Sequence, residues 1–219
     1  MQENIAPVVR KWKRKVHQYD LNGKWLNSFK SAAKGCSSVI FDYDSTIARV
    51  PIDWIVARST CHQYLESILP GVDLPEELRV DEMEARALAY APEEADRIFQ
   101  HRHYLESGLD GSHEPVQKTI ALIKFLASTG QYQLYIVSNN LHRTVEHGLL
   151  QLNIALMFDV VLGIDDVGVP KPDTKAFHLL AETANLAVED SIFIGDSDQT
   201  DGVFCSNLGM TYLNINRLD

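Results

Sequence analysis

A chain of 219 residues, 45% apolar and 23% charged, can bury one good core and still carry a substantial insertion, which excludes a disordered or fibrous protein. No stretch approaches the roughly 20 apolar residues of a membrane span, and the amino terminus lacks the apolar core of a signal peptide, so a cytoplasmic protein without a membrane partner is expected. A net charge of −10 argues against general nucleic-acid binding, although residues 1–35 carry eight Lys or Arg against two acids and leave about −16 on the remainder.

Val8, Val9, Trp12, Val16, Tyr19, Leu21, Trp25, Leu26 and Phe29 recur at threes and fours, which predicts one or two amphipathic helices broken at Asn22-Gly23. The basic cluster Arg10, Lys11, Lys13, Arg14 and Lys15 is expected on a solvated face, with the Trp side packed on the protein. Residues 38–41, Ser-Val-Ile-Phe, read as a buried strand. After Pro51 the spacing predicts helices over 53–106, divided at Pro70-Gly71 and Ala91-Pro92 and closed by Gly108, Gly111 and Pro115. From residue 116 helices alternate with strands at 134–137, 159–162, 191–194 and 211–214, the pattern of a parallel sheet covered on both faces. Cys36, Cys61 and Cys205 are odd in number and widely separated, which points to reduced thiols rather than disulfides or a zinc site.

The strand ends carry the chemistry. Asp42 and Asp44 follow the first strand, at the edge where open α/β sheets bind ligands, and clustered charge there calls for a cation. Asp-x-Asp-Ser-Thr also describes a strand running into a turn whose side chains bond their own backbone. Ser138-Asn139 ends the next strand; Ser138 suits a helix cap as well as a phosphate oxygen. Lys171 lies between Pro170 and Pro172, a rigid setting for an ammonium, although a solvated loop lysine is the plainer reading. Asp196 and Asp201 stand five apart after the strand at 191–194, with Asp198 between them as a candidate cap.

Together these residues resemble the haloacid dehalogenase-like (HAD) phosphohydrolases. The four motifs appear in order as Asp42-Tyr43-Asp44-Ser45-Thr46, Ser138, Lys171, and Gly195-Asp196 through Asp201. Ser45 departs from the glycine of many members, a change that can alter the local loop. The resemblance covers residues 36–48 and 116–219. It implies a Rossmann-like, doubly wound α/β core there, a small helical cap over residues 49–115, and an N-terminal helical extension over 1–35. The short gap from Ser138 to Lys171 places the specificity cap after the first motif rather than the second.

The resemblance further implies a Mg²⁺-dependent phosphatase acting on a small phosphorylated metabolite. Asp42 would be the nucleophile that forms an aspartyl-phosphate, and Asp44 the acid and base. Ser138 and Lys171 would bind the transferring phosphoryl oxygens. Mg²⁺ would be held by Asp42, the Asp44 carbonyl and Asp196, with Asp201 supporting this shell or orienting Lys171. Thr46, Asn139 and Arg49 are expected on the substrate side, and Arg58, Arg102, His101 and His103 are further candidates in the cap. The cap has fourteen acids against six arginines, which argues against a polyanionic substrate. Asp44 speaks against a dehalogenase, and the lack of any lysine between Lys34 and Lys118 against a phosphonatase. A phosphomutase would keep the same motifs, and a non-catalytic binding protein would not need them.

Overall fold

The run at residues 38–41 lacks polar alternation because both of its faces are covered. The computed structural model describes residues 23–107 and 112–217, with seven strands among them. They are β1 (Ser38–Phe41), β2 (Ala48–Arg49), β3 (Glu114–Pro115), β4 (Gln133–Val137), β5 (Val160–Leu162), β6 (Ser191–Gly195) and β7 (Thr211–Asn214). Five form a parallel sheet in the order β5-β4-β1-β6-β7. From central β1 the chain winds outward to β4 and β5, then crosses to β6 and β7. The reversal opens a crevice at the carboxyl ends of β1, β4 and β6.

The side-chain period of two divides the strands between two cores. Val39 and Phe41 join Leu134, Ile136, Ile192 and Ile194 on one face; Ile40 joins Tyr135, Val137 and Phe193 on the other. The first core is covered by α1 (Gly23–Ala32), which contributes Trp25 and Phe29 as its spacing predicts. Burying two such rings stabilises the fold by roughly 3–6 kcal/mol before entropy is counted. The proposed basic face at Arg10 to Lys15 lies outside the described residues.

Three helices follow β2: α2 (Trp54–Ile68), α3 (Val80–Tyr90) and α4 (Ala95–Ser107). They share their own apolar cluster, with Leu65, Met83, Ala87 and Ile98 at its centre. The remaining helices are α5 (Gln117–Thr129) and α6 (His142–Gln151) on the first core, the short α7 (Ile164–Val167), and α8 (Lys175–Ala184) and α9 (Val203–Leu208) on the second. No helix among the described residues is long and apolar enough to cross a membrane.

Several details differ from the sequence reading. The chain leaves and re-enters the sheet through a paired ribbon, β2 against β3, which two residues per strand cannot announce. The single helix expected after β6 is a π-helical turn, Asp198–Gly202, running into α9. Ser197, not Asp198, caps it by accepting from the Thr200 amide; Asp198 instead accepts from Asn214. Ser138 does not cap α6, whose N-cap is Leu141. Ser45 takes the left-handed φ of 59° that glycine adopts freely, at a cost of about 1 kcal/mol, and its amide donates to Ala48 O at 2.8 Å.

Behind β1, the buried Tyr43 hydroxyl and His113 Nδ1 are hydrogen-bonded at 2.6 Å. Gly148 on α6 leaves them room, since a Cβ there would overlap the Tyr43 hydroxyl and His113 Nδ1. Gly148→Ala should therefore lower stability by roughly 1–3 kcal/mol, read as a shifted urea midpoint. Burial, then the neighbouring His147, hold His113 down to about 4. A histidine depressed in the fold takes its proton first in the unfolded chain, so its contribution is present above pH 6.5 and lost as pH falls toward 4. Between pH 7 and pH 5 the wild type should lose about 2 kcal/mol that a His113→Gln variant does not lose, measured by urea unfolding at both pH values.

Candidate functional site

Asp42 continues β1 by one residue: its amide donates to Ile194 O at 2.9 Å, so the side chain emerges where the sheet ends. Lys171 arrives from the loop after α7 and is 2% exposed. Its three ammonium protons meet three acceptors, Asp42 Oδ1 at 2.7 Å, Asp201 Oδ1 at 2.8 Å and Val137 O at 2.9 Å. The solvated-loop reading of Lys171 thus fails. Asn139 clamps the same residue by its main chain, accepting from the Lys171 amide through Oδ1 and donating through Nδ2 to the Lys171 carbonyl.

Thr46 is fully buried and donates between two acids, to Asp42 Oδ2 at 3.1 Å and Asp196 Oδ1 at 3.4 Å. Asp201 is fixed by Lys171 and by the Ser197 amide. Gly195 makes its position possible, because a Cβ at the end of β6 would overlap the Asp201 carboxylate. One carboxylate oxygen from each of Asp42, Asp196 and Asp201 lies within 4.8 Å of the others. Such a set of hard oxygen donors fits a cation like Mg²⁺.

The Asp44 side chain turns away from this group. It accepts from the Val50 amide at 3.0 Å and from the Trp54 indole at 3.1 Å, so the two carboxylates flanking Tyr43 occupy different settings. Burial pushes Asp44 up to about 6, with those donors opposing it and Asp42 adding to it. Burial likewise raises Asp42 to about 7; Lys171 opposes the shift, while Asp201 and Asp196 add to it. Asp196 rises to about 6 through burial, Asp201 and Asp44. For Lys171, burial alone would lower the ammonium, but Asp201 and Asp42 outweigh it and hold the proton on.

The helices α2, α3 and α4 form the far wall of a cavity of about 360 Å³ that reaches Asp42, Asp44, Lys171 and Asp196. Several bonds tie this wall to the core, and three of them surround the cavity. Arg79 donates to Thr200 Oγ1 at 2.9 Å, Asp81 accepts from Asn139 Nδ2 at 2.8 Å, and Arg102 donates to Asn139 O at 3.0 Å. Among the cap candidates, Arg58 and Arg102 line the cavity. His101 instead stacks on Tyr64 with ring centroids 4.0 Å apart, and the His103 carbonyl accepts from Arg143. Arg49, expected on the substrate side, is exposed on β2, pairs with Glu114 at 3.4 Å and lies off the cavity wall. The Ser138 hydroxyl is buried against Asn140, accepting from its amide and donating to its Oδ1. Sequence reasoning missed Trp54, Arg79, Asp81 and Thr200. Only Asp53 hinted at the first, as the cap of α2 that sets where Trp54 begins the helix.

Removing the ammonium leaves Asp42 and Asp201 facing each other without compensation. Lys171→Met should cost about 3–5 kcal/mol at pH 7.5, seen as a lower urea midpoint. Acidification should narrow the gap to wild type as the carboxyls take up protons.

The sequence model of the haloacid dehalogenase-like hydrolases matches residues 39–215. The pyrophosphatase PpaX of Bacillus mycoides is 27% identical over 175 residues, which are 74% of this chain and 75% of that protein. A Haemophilus somnus protein described as a predicted phosphoglycolate phosphatase superposes with a TM-score of 0.58 at 20% identity, over 82% of this chain and 85% of that one. The magnesium-bound YfnB of Bacillus subtilis gives 0.53 at 20% identity, over 83% and 89%. These two likenesses are of fold. With the sequence match spanning most of the molecule and that fold beneath it, the chain belongs to the haloacid dehalogenase-like hydrolase family.

Proposed function

We propose that this hydrolase is a cytoplasmic, Mg²⁺-dependent phosphatase that cleaves a small phosphorylated metabolite through an aspartyl-phosphate on Asp42. The observation that carries this reading is the fully bonded Lys171 ammonium gripping Asp42 while leaving its Oδ2 held only by Thr46. That oxygen attacks phosphorus, and the bond from phosphorus to the leaving oxygen breaks. Asp44, raised to about 6 and oriented by Trp54, gives its proton to that leaving oxygen. In the second half Asp44 takes a proton from the water that displaces phosphate from Asp42, which restores both groups.

Lys171 keeps the negative charge of the cluster balanced as the phosphoryl group arrives. Ser138 would exchange its bond to Asn140 Oδ1 for a phosphoryl oxygen. Magnesium, held by Asp42, Asp196 and the Asp44 carbonyl, would offset the charge of the acids and of the phosphoryl oxygens. Asp201 is committed to Lys171 and to the Ser197 amide, so it acts as the orienter of both. The layer α2–α4 serves as the cap that keeps water from the reaction. PpaX, a pyrophosphatase by name, is consistent with a phosphoryl substrate of modest size.

The purified protein should hydrolyse p-nitrophenyl phosphate with Mg²⁺, lose turnover in EDTA and regain it when Mg²⁺ is returned. Asp42→Asn should lower kcat by at least about a thousandfold while the protein still unfolds in one cooperative transition, its midpoint shifted by the loss of one charge beside Lys171. Retained turnover in that variant would sink the nucleophile assignment.

A further inference from the structure

Residues 49–115 hold six arginines, and five of them face a carboxylate. Arg49 pairs with Glu114, Arg79 with Asp81 and Glu82, Arg86 with Asp73, Arg97 with Glu94, and Arg102 with Glu84 and Glu106. Arg58 has no ion pair or hydrogen bond among the described residues. Its neighbours one turn away on α2 are Trp54, Ile55, Cys61 and His62, none of them acidic.

Arg58 is nonetheless half-buried and lines the cavity that contains Asp42. The other three cations on that wall are engaged: Lys171 by two carboxylates, Arg79 by Asp81 and Thr200, Arg102 by Glu84, Glu106 and Asn139. A guanidinium drawn partly out of water without a counter-charge is unfavourable unless a ligand supplies one. Trp54, one turn earlier on the same face of α2, donates to Asp44. Arg58 therefore borders the same cavity as Asp44, one helical turn past the residue that holds it, on the side where the phosphatase reading places the leaving group.

We propose that Arg58 binds a second anionic group on the leaving-group side, so that the substrate is a small phosphate ester or anhydride charged at both ends. The proposal rests on the phosphatase reading above and narrows its substrate class. The acidic surplus of residues 49–115 does not oppose it: Glu66 and Glu76 line a second recess that Arg58 also borders, but neither forms an ion pair with it, and Glu66 faces His62.

The test compares kcat/KM for 2-phosphoglycolate, pyrophosphate and ethyl phosphate. Wild type should prefer a doubly charged probe, and Arg58→Gln should lower that preference about 10- to 100-fold, with partial rescue in Arg58→Lys. Arg49→Gln, which removes the same charge outside the cavity, should keep the wild-type preference. Whichever charged probe suffers the larger loss identifies a carboxylate or a phosphate as the second group. No preference in wild type, or a preference unchanged in Arg58→Gln, overturns the proposal. Should wild type turn over none of the three, the phosphatase reading fails and Arg58 is judged by calorimetry, as the affinity for phosphonoacetate over methylphosphonate. A ratio that Arg58→Gln leaves unaltered then overturns it, and a loss of tenfold or more supports it.

Discussion

Lys171 has three protons and three acceptors in a space almost closed to water, and its burial is tolerable only because Asp42, Asp201 and the Val137 carbonyl are all in place. The reverse dependence is as strong. Asp42, Asp196 and Asp201 crowd within 4.8 Å, and burial first, then the neighbouring carboxylates that one ammonium cannot neutralise, raise Asp42 and Asp196 well above the usual carboxylate range. A cluster built with more negative charge than its own cation balances suits a divalent metal in one direction and is receptive to protons in the other.

The details around it follow from keeping those groups in register. Gly195 has no side chain because the Asp201 carboxylate occupies that space. The π-helical turn over 198–202, wider than an α-helical one, is the path by which the chain returns Asp201 to the sheet edge after Asp196 has left it. Asn139 grips the amide and the carbonyl of Lys171, so the ammonium is placed through its main chain as well as its protons.

Much of this was legible in the sequence for a physical reason: β1, β4 and β6 are buried on both faces, so their apolar runs are continuous and their ends are marked by the first polar residue. Asp42, Ser138 and Asp196 are those residues. What could not be read is whatever depends on elements distant in the chain meeting in space. Trp54 orients Asp44, and Arg79 reaches Thr200 across 121 positions, without any local spacing to announce either. Arg49 was misplaced for the same reason. It was one of several cationic candidates for the substrate side, but the pairing of β2 with β3 turns it outward to Glu114.

The bonds between α2–α4 and the core do not land at arbitrary points. Arg102 and Asp81 both bond Asn139, at its carbonyl and its side-chain amide, and Asn139 is the residue that holds Lys171. Glu106, on the same helix as Arg102, accepts from the Leu141 amide at the start of α6. A displacement of α3 or α4 is therefore felt at Lys171 through a single intervening side chain. Arg102 and Glu106 are buried, and moving the layer would break their bonds to the Asn139 carbonyl and the Leu141 amide while the Arg102 pairs with Glu84 and Glu106 travel with it. The arrangement in which the layer sits against Asn139 and Thr200 is thus the one in which the Lys171 ammonium, Asp42 and Arg58 border one cavity, and any open form must first give up those bonds.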